Sequence, residues 1–284
     1  MWQLNAWLEL RRREEQPGDG EAAFAAELAD REPMFNVWIR ADLVGDRYVL
    51  TATGLTNHRD SRGQAWDELL AEVVGRLPGT YGLVYEHDDE TDEPPGRNAF
   101  RVRVAGSGGV EERPDPFLSP AIPVVDAESD DLRAEIPVPG GTAPLAGAVP
   151  RRAGADGELH AWLALWESLD DDAPGWFDPA LESPADRARR NVRDLQAIAD
   201  ATPWPELCLR YEVANGMEYL AATLHGPLDG PAAAFFETRL AATLDVFPAS
   251  YGLVHERGAA EHPFTVRAIA RGCVHPRQDP FLSP

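Results

Sequence analysis

The sequence predicts an α+β protein made of two similar domains, each a mostly antiparallel sheet with about two helices packed on it, and three observations carry that prediction. The chain repeats itself in order: LNAWLEL (4–10) returns as LHAWLAL (159–165), LPGTYGLVYE (77–86) as FPASYGLVHE (247–256), NAFRVRV (98–104) as HPFTVRA (262–268), and GVEERPDPFLSP (109–120) as CVHPRQDPFLSP (273–284). Within each copy, apolar residues recur with period two in some stretches and at helical spacing in others. Short glycine-bearing turns, VGD at 44–46 and ANG at 214–216, join neighbouring strand patterns as antiparallel hairpins.

Four echoes in one order imply a tandem duplication. The spacing between partners drifts, so insertions and deletions fall in loops while the motifs persist. The copies span residues 1–128 and 157–284, each of ordinary domain size. Residues 129–156, rich in Pro, Gly and Ala, read as a semi-rigid linker.

Taken in order, the first copy opens on a strand around LNAWLEL, where Trp7 and its counterpart Trp162 hold equivalent positions and read as core. Phe24 and Leu28 suggest a first helix; in the second copy Val192, Leu195 and Ile198 suggest its partner, behind a start signal of Ser183, Pro184 and Asp186. Phe35, Val37 and Ile39 alternate with Asn36 and Trp38 as a half-buried strand, which leaves Trp38 out of phase, partly exposed and available as an anchor. Trp66, Leu69, Leu70, Val73, Val74 and Leu77 fall on one face of a second helix, and Phe236, Leu240, Leu244 and Phe247 repeat that stripe. Phe100, Val102 and Val104 then alternate with Arg101 and Arg103, whose side chains are expected to face outward. The expected unit order is strand, helix, strand, strand, helix, strand, strand.

The hexapeptide DPFLSP closes both copies. The residue before each proline is biased to extended backbone and each proline fixes its own φ, so the segment is a stiff strap. It presents Asp115, Pro116, Phe117 and Leu118 in one copy and Asp279, Pro280, Phe281 and Leu282 in the other. An apolar clip that ends each fold outweighs a ligand-binding role, because buried aromatics mostly pack.

Composition narrows the function. The chain has 284 residues and a net charge of −22, divided about evenly between the copies, and all its basic side chains are Arg. Such acidity repels phosphates, so direct nucleic-acid binding is not expected; it suits solubility or a basic protein partner. No apolar run approaches the roughly 18 residues of a membrane span, and the order of apolar and basic residues at the start is wrong for a secretory signal, so a cytoplasmic protein is expected. The two cysteines, Cys208 and Cys273, both lie in the second copy and imply neither a disulfide framework nor a zinc site. No G-x-S-x-G elbow and no H-E-x-x-H spacing occurs, so no catalytic residues, metal or cofactor are assigned. The acidic run EHDDETDE (86–93) lacks the glycine and distant Glu of a calcium loop and reads as a solvated hairpin tip.

GLTNHR (54–59), PGTYGLVYEHDDE (78–90), NAF (98–100) and DPFLSPAIP (115–123) together resemble the immunity protein 7 family of bacterial polymorphic toxin systems. The resemblance covers nearly all of residues 1–128; the second copy keeps the tyrosine-glycine turn and the strap but has HGPLDG (225–230) in place of GLTNHR. It implies a protein that binds and neutralises a cognate toxin domain, basic in character and with nucleases among the candidates, by stoichiometric contact rather than catalysis. Candidate toxin contacts are Trp38, Asn57, His58, Arg59, Asp88, Asp89, Glu90, Asp92 and Glu93, all in the first copy. Oligomeric state is not legible.

Overall fold

The computed structural model describes residues 1–12, 19–31, 34, 36–90, 99–106, 108–119, 156–165, 193, 196–197, 204–258, 263–270 and 273–282. Residues 129–155 of the linker, Phe35, Val192, Leu195 and Ile198, the start signal of Ser183, Pro184 and Asp186, and Asp92 and Glu93 lie outside the described residues. The first copy runs β1 (Trp2–Glu9), α1 (Asp19–Ala29), β2 (Val37–Val44), β3 (Arg47–Thr56), α2 (Asp60–Arg76), β4 (Tyr81–Asp88), β5 (Phe100–Gly106) and β6 (Gly109–Pro114). The second runs β7 (Asp156–Leu165), β8 (Leu207–Ala214), β9 (Met217–Pro227), α3 (Pro231–Val246), β10 (Tyr251–Arg257), β11 (Thr265–Ala270) and β12 (Cys273–Gln278). Each copy is one antiparallel six-stranded sheet, ordered β2-β3-β1-β4-β5-β6 and β12-β11-β10-β7-β9-β8, so the opening strand of each copy lies in the interior of its sheet.

Both predicted hairpins form. Gly45 takes φ 62, and Asn215 and Gly216 take φ 49 and 83, the left-handed pair of a type I′ hairpin turn. Two expectations need correction. The strand expected to include Asn36 begins at Val37, because Asn36 takes φ 60 and breaks the extended run. The expected unit order lacks its last strand: Gly109–Pro114 pairs with β5, yet every residue is exposed, so this edge strand shows no apolar alternation to read.

One face of each sheet is closed by helices. Leu4, Ala6 and Leu8 of β1 meet Phe24 and Leu28 of α1 and Trp66, Leu69, Leu70 and Val73 of α2. Leu159, Ala161, Leu163 and Leu165 of β7 meet Phe236, Leu240 and Leu244 of α3. The arginines of β5 do not face open solvent. Arg103 lies beneath α2, 2.6 Å from Asp67 and 2.5 Å from Glu86, with 13% of its side chain exposed, and Arg267 repeats the arrangement with Glu237 and Glu256.

The other faces of the two sheets lie against each other. Trp7, Leu83, Tyr85, Phe100, Val102 and Leu118 of the first copy share one core with Trp162, Leu253, Phe264, Val266 and Ala268 of the second. This explains why all eight residues of β1 are buried: both faces of the strand are covered. The contacts come in matched pairs. Trp7 meets Phe264 and His255 at centroid distances of 6.0 and 5.9 Å, and Trp162 meets Phe100 and Tyr85 at 6.2 and 5.6 Å. Phe117 and Phe281, one from each strap, meet edge-on at 6.3 Å. The motifs that the duplication preserves are thus those that join the copies.

Within the straps, aspartate is the organising residue. Asp115 is buried and accepts from the backbone N–H of Phe117, Leu118 and Ser119 at 2.9, 2.8 and 2.6 Å and from the Ser119 hydroxyl at 2.9 Å. That hydroxyl in turn accepts from Phe100 N–H, fixing the strap to the start of β5. Asp279 accepts from Phe281 and Leu282 N–H at 2.6 and 3.2 Å.

Candidate functional site

Thr56 and Asp88 pair with the same residue, Trp2, from opposite sides of β1. The GLTNHR turn and the end of β4 therefore emerge together at one end of the sheet. There His58 Nδ1 stands 2.7 Å from Glu90 Oε1, both side chains more than half exposed, and Asp88 Oδ1 accepts from Glu90 N–H at 3.1 Å. Asp89 N–H donates to Met1 O at 3.1 Å, tying the tip to β1. His87, one residue inside, is buried against Phe100; burial above all lowers its pKa, against the pull of Asp89 and Asp88 and with the terminal amine in the same sense as burial.

The remaining sequence-assigned residues go elsewhere. Trp38 is 40% exposed, but its indole N–H donates to Val213 O of the second copy at 2.9 Å. Asn57 Oδ1 accepts from Asn215 at 3.3 Å, and Arg40 pairs with Glu212 at 2.8 Å. Trp38 and Asn57 thus line the seam between β2 and the β8–β9 hairpin. Arg59 turns under α2 and bonds Asp67 at 2.6 Å, with Glu86 at 3.5 Å. His58, Asp88, Asp89 and Glu90 converge, while Trp38, Asn57 and Arg59 are engaged within the protein.

Sequence reasoning missed a second cluster, which lies inside the shared face. Gln3, Asn5 and Glu9 alternate with apolar residues along β1 and would read as a solvent face, whereas all three are buried. Glu9 accepts from Arg47 at 2.8 Å and from Arg11, and the Tyr81 hydroxyl sits 2.5 Å from both Glu9 and Glu158. At the equivalent place in the second copy, the Tyr251 hydroxyl donates to Gln3 at 2.8 Å. His160 stacks on Trp7 with centroids 3.8 Å apart and planes within 3°, and His225 lies edge-on to it at 5.5 Å.

Burial sets the chemistry here. It pushes the Glu9 carboxyl up to about 7, against Arg11 and with help from the neighbouring Glu158. Burial works the same way on Glu158, but His160 and Arg257 overcome it and hold that carboxyl below the usual range. Burial also brings His225 down to about 3, reinforced by His160, so its imidazole is neutral at any ordinary pH. The only sequence signal for this cluster was the echo of AWL itself, with Asn5 standing where the second copy has His160.

Fold and site together define a tandem α+β protein whose copies are joined through a shared face and whose first copy carries an acidic tip at one end of its sheet. The chain belongs to the immunity protein 7 family, which it matches over residues 1–127 and 157–284. No curated protein and no solved structure matches it. Among the described residues, no helix is long and apolar enough to cross a membrane.

Proposed function

We propose that this chain binds a cognate toxin domain in a stoichiometric complex and so neutralises it, with no catalysis of its own. The observation that carries this reading is the family match over both copies. The net charge of −22 supports a basic partner, and nucleases are natural candidates because enzymes that hold phosphates present cationic surfaces. We assign the main contact to the first copy's tip, where His58, Asp88, Asp89 and Glu90 converge and where Asp92 and Glu93 follow in sequence. Trp38, Asn57 and Arg59 would support that surface from the seam and from beneath α2.

The test is co-expression of the full chain with the toxin encoded beside its gene. A one-to-one complex and protected cells are expected; neither complex nor protection would remove the reading. Within such a complex, the triple change Asp88→Asn, Asp89→Asn, Glu90→Gln should slow association at low salt by about tenfold or more while changing dissociation little, because rim charges steer encounter. An association rate insensitive both to this change and to ionic strength would take the tip out of the interface.

A further inference from the structure

The shared face holds a set of ligating atoms that its own closure does not demand. Glu9 from β1, His160 from β7 and His225 from β9 each bring one ligand atom within 4.8 Å of the other two. Register identifies what occupies the matching positions across the approximate two-fold relation. Leu4 pairs with Gly54 as Leu159 pairs with Leu224, so Leu55 answers to His225; Glu9 and Ala164 both lie opposite the repeated tyrosine, so Ala164 answers to Glu9. Leu55 and Ala164 meet in one apolar cluster. The matching positions therefore carry Leu55, Ala164 and Asn5 where this side of the interface has two imidazoles and a carboxylate.

We propose that Glu9, His160 and His225 form a binding site for a divalent transition-metal ion of the zinc class, held between the two copies. Two imidazoles and one carboxylate are a known donor set for zinc with a fourth position left open. The side chains of Glu9 and His160 are fully buried and that of His225 is 6% exposed. Yet His160 Nδ1 and His225 Nε2 have no hydrogen-bond partner, a costly state for buried polar atoms. His225 Nε2 stands 3.9 Å from Glu9 Oε2, too far for a hydrogen bond and near the roughly 3.4 Å that separates two ligands on one tetrahedral ion.

The surroundings fit. Arg11 and Arg47 approach Glu9 through Oε1, which leaves Oε2 on the His225 side, where the Tyr81 hydroxyl also donates to it. Glu158 Oε2 lies 3.4 Å from His160 Nε2, the outer carboxylate that commonly orients a ligating imidazole whose other nitrogen binds the ion. Arg11, Arg47 and Arg257 already answer the two carboxylates, so affinity below that of a thiolate site is expected.

The full chain, stripped with a chelator, is titrated with Zn²⁺ by calorimetry and with Co²⁺ by visible absorption. One equivalent should bind, with the band intensity of a four-coordinate ion, and bound Zn²⁺ should raise the melting temperature. His225→Leu installs the residue the matching position already carries and so should fold; it should weaken binding by more than about 100-fold, beyond the loss of an outer-shell partner. Histidine-ring NMR of the unaltered chain gives a readout that needs no variant, with His160 and His225 expected to shift on adding Zn²⁺. Absence of a stoichiometric site in the unaltered chain overturns the proposal, as does undiminished binding by folded His225→Leu or ring shifts confined to other histidines.

Discussion

Gly82 shows how a repeated motif can be read as a repeat while its reason stays hidden. A Cβ built there would sit 2.2 Å from Trp7 O, and one on Gly252 would sit 2.1 Å from Trp162 O, so in both copies the tyrosine-glycine pair lets β4 or β10 lie flush on the opening strand. Gly82 also takes φ 150, where a side chain is strained. Gly82→Ala should destabilise by about 3 kcal/mol or more, as overpacking against backbone does. Gly75→Ala, at a helical glycine with nothing within 4 Å, should instead stabilise by about 0.5–1 kcal/mol. Denaturant melts of the two variants check the contrast, and equal effects would refute the packing argument. His87 offers a pH test. Its folded pKa is lowered below its ordinary 6.5 by burial, opposed by Asp88 and Asp89, so above that value it contributes nothing. As pH falls below about 6.5 the unfolded chain takes the proton first and stability is lost. His87→Gln should therefore show a shallower fall in unfolding free energy between pH 7 and 5 than the parent chain; identical slopes would contradict the assignment. The polar side chains of β1 were illegible because alternation reports which residues share a face, and a second copy can bury the face that water was expected to cover.

At the scale of elements, the helices were the most legible part, since a stripe such as Trp66, Leu69, Leu70 and Val73 needs only local spacing to be recognised. β6 was illegible for the opposite reason: an edge strand exposed along its length has no apolar pattern, and only its pairing with β5 defines it. The strap reads as stiff from its prolines and apolar from its Phe and Leu, but its position was not legible, because Phe117 meets Phe281 of the other copy. Its aspartate is the residue to test. Removing a buried carboxylate that accepts three backbone N–H groups and a hydroxyl leaves those donors unmatched, so Asp115→Ala should cost about 2–3 kcal/mol. The loss should appear as a lower denaturant midpoint with unchanged slope, the sign of a weaker fold rather than a different one. A change below about 0.5 kcal/mol, the range of ordinary surface substitutions, would show that the prolines alone hold the strap.

At the scale of the molecule, the duplication was plain from four echoes, but sequence treats each copy as a finished unit, and nothing local in Trp7 or Trp162 says that its core partner lies in the other copy. We propose that each copy folds around its own sheet and helices and that the shared face then joins them. Trp7, Tyr85, Phe100 and Leu118 would be uncovered if the copies parted, together with Trp162, Phe264 and Val266. Contiguous apolar surface of that kind drives association. Opposing it is charge, since a net −22 is shared about evenly between the halves, while the seam pairs Arg40–Glu212 and Asp42–Arg210 are partly exposed and contribute little. A protease site placed in residues 129–156 tests the balance in the intact protein. After cleavage, the halves should stay together through size-exclusion chromatography. If they are separated in denaturant and remixed, they should reassociate more tightly at about 1 M salt, where the Debye length is roughly 3 Å and repulsion between the acidic halves is screened. Halves that part on cleavage under native conditions would show that the linker, not the shared face, holds the copies together. Reassociation that weakens as salt rises would show that the seam ion pairs outweigh the net repulsion.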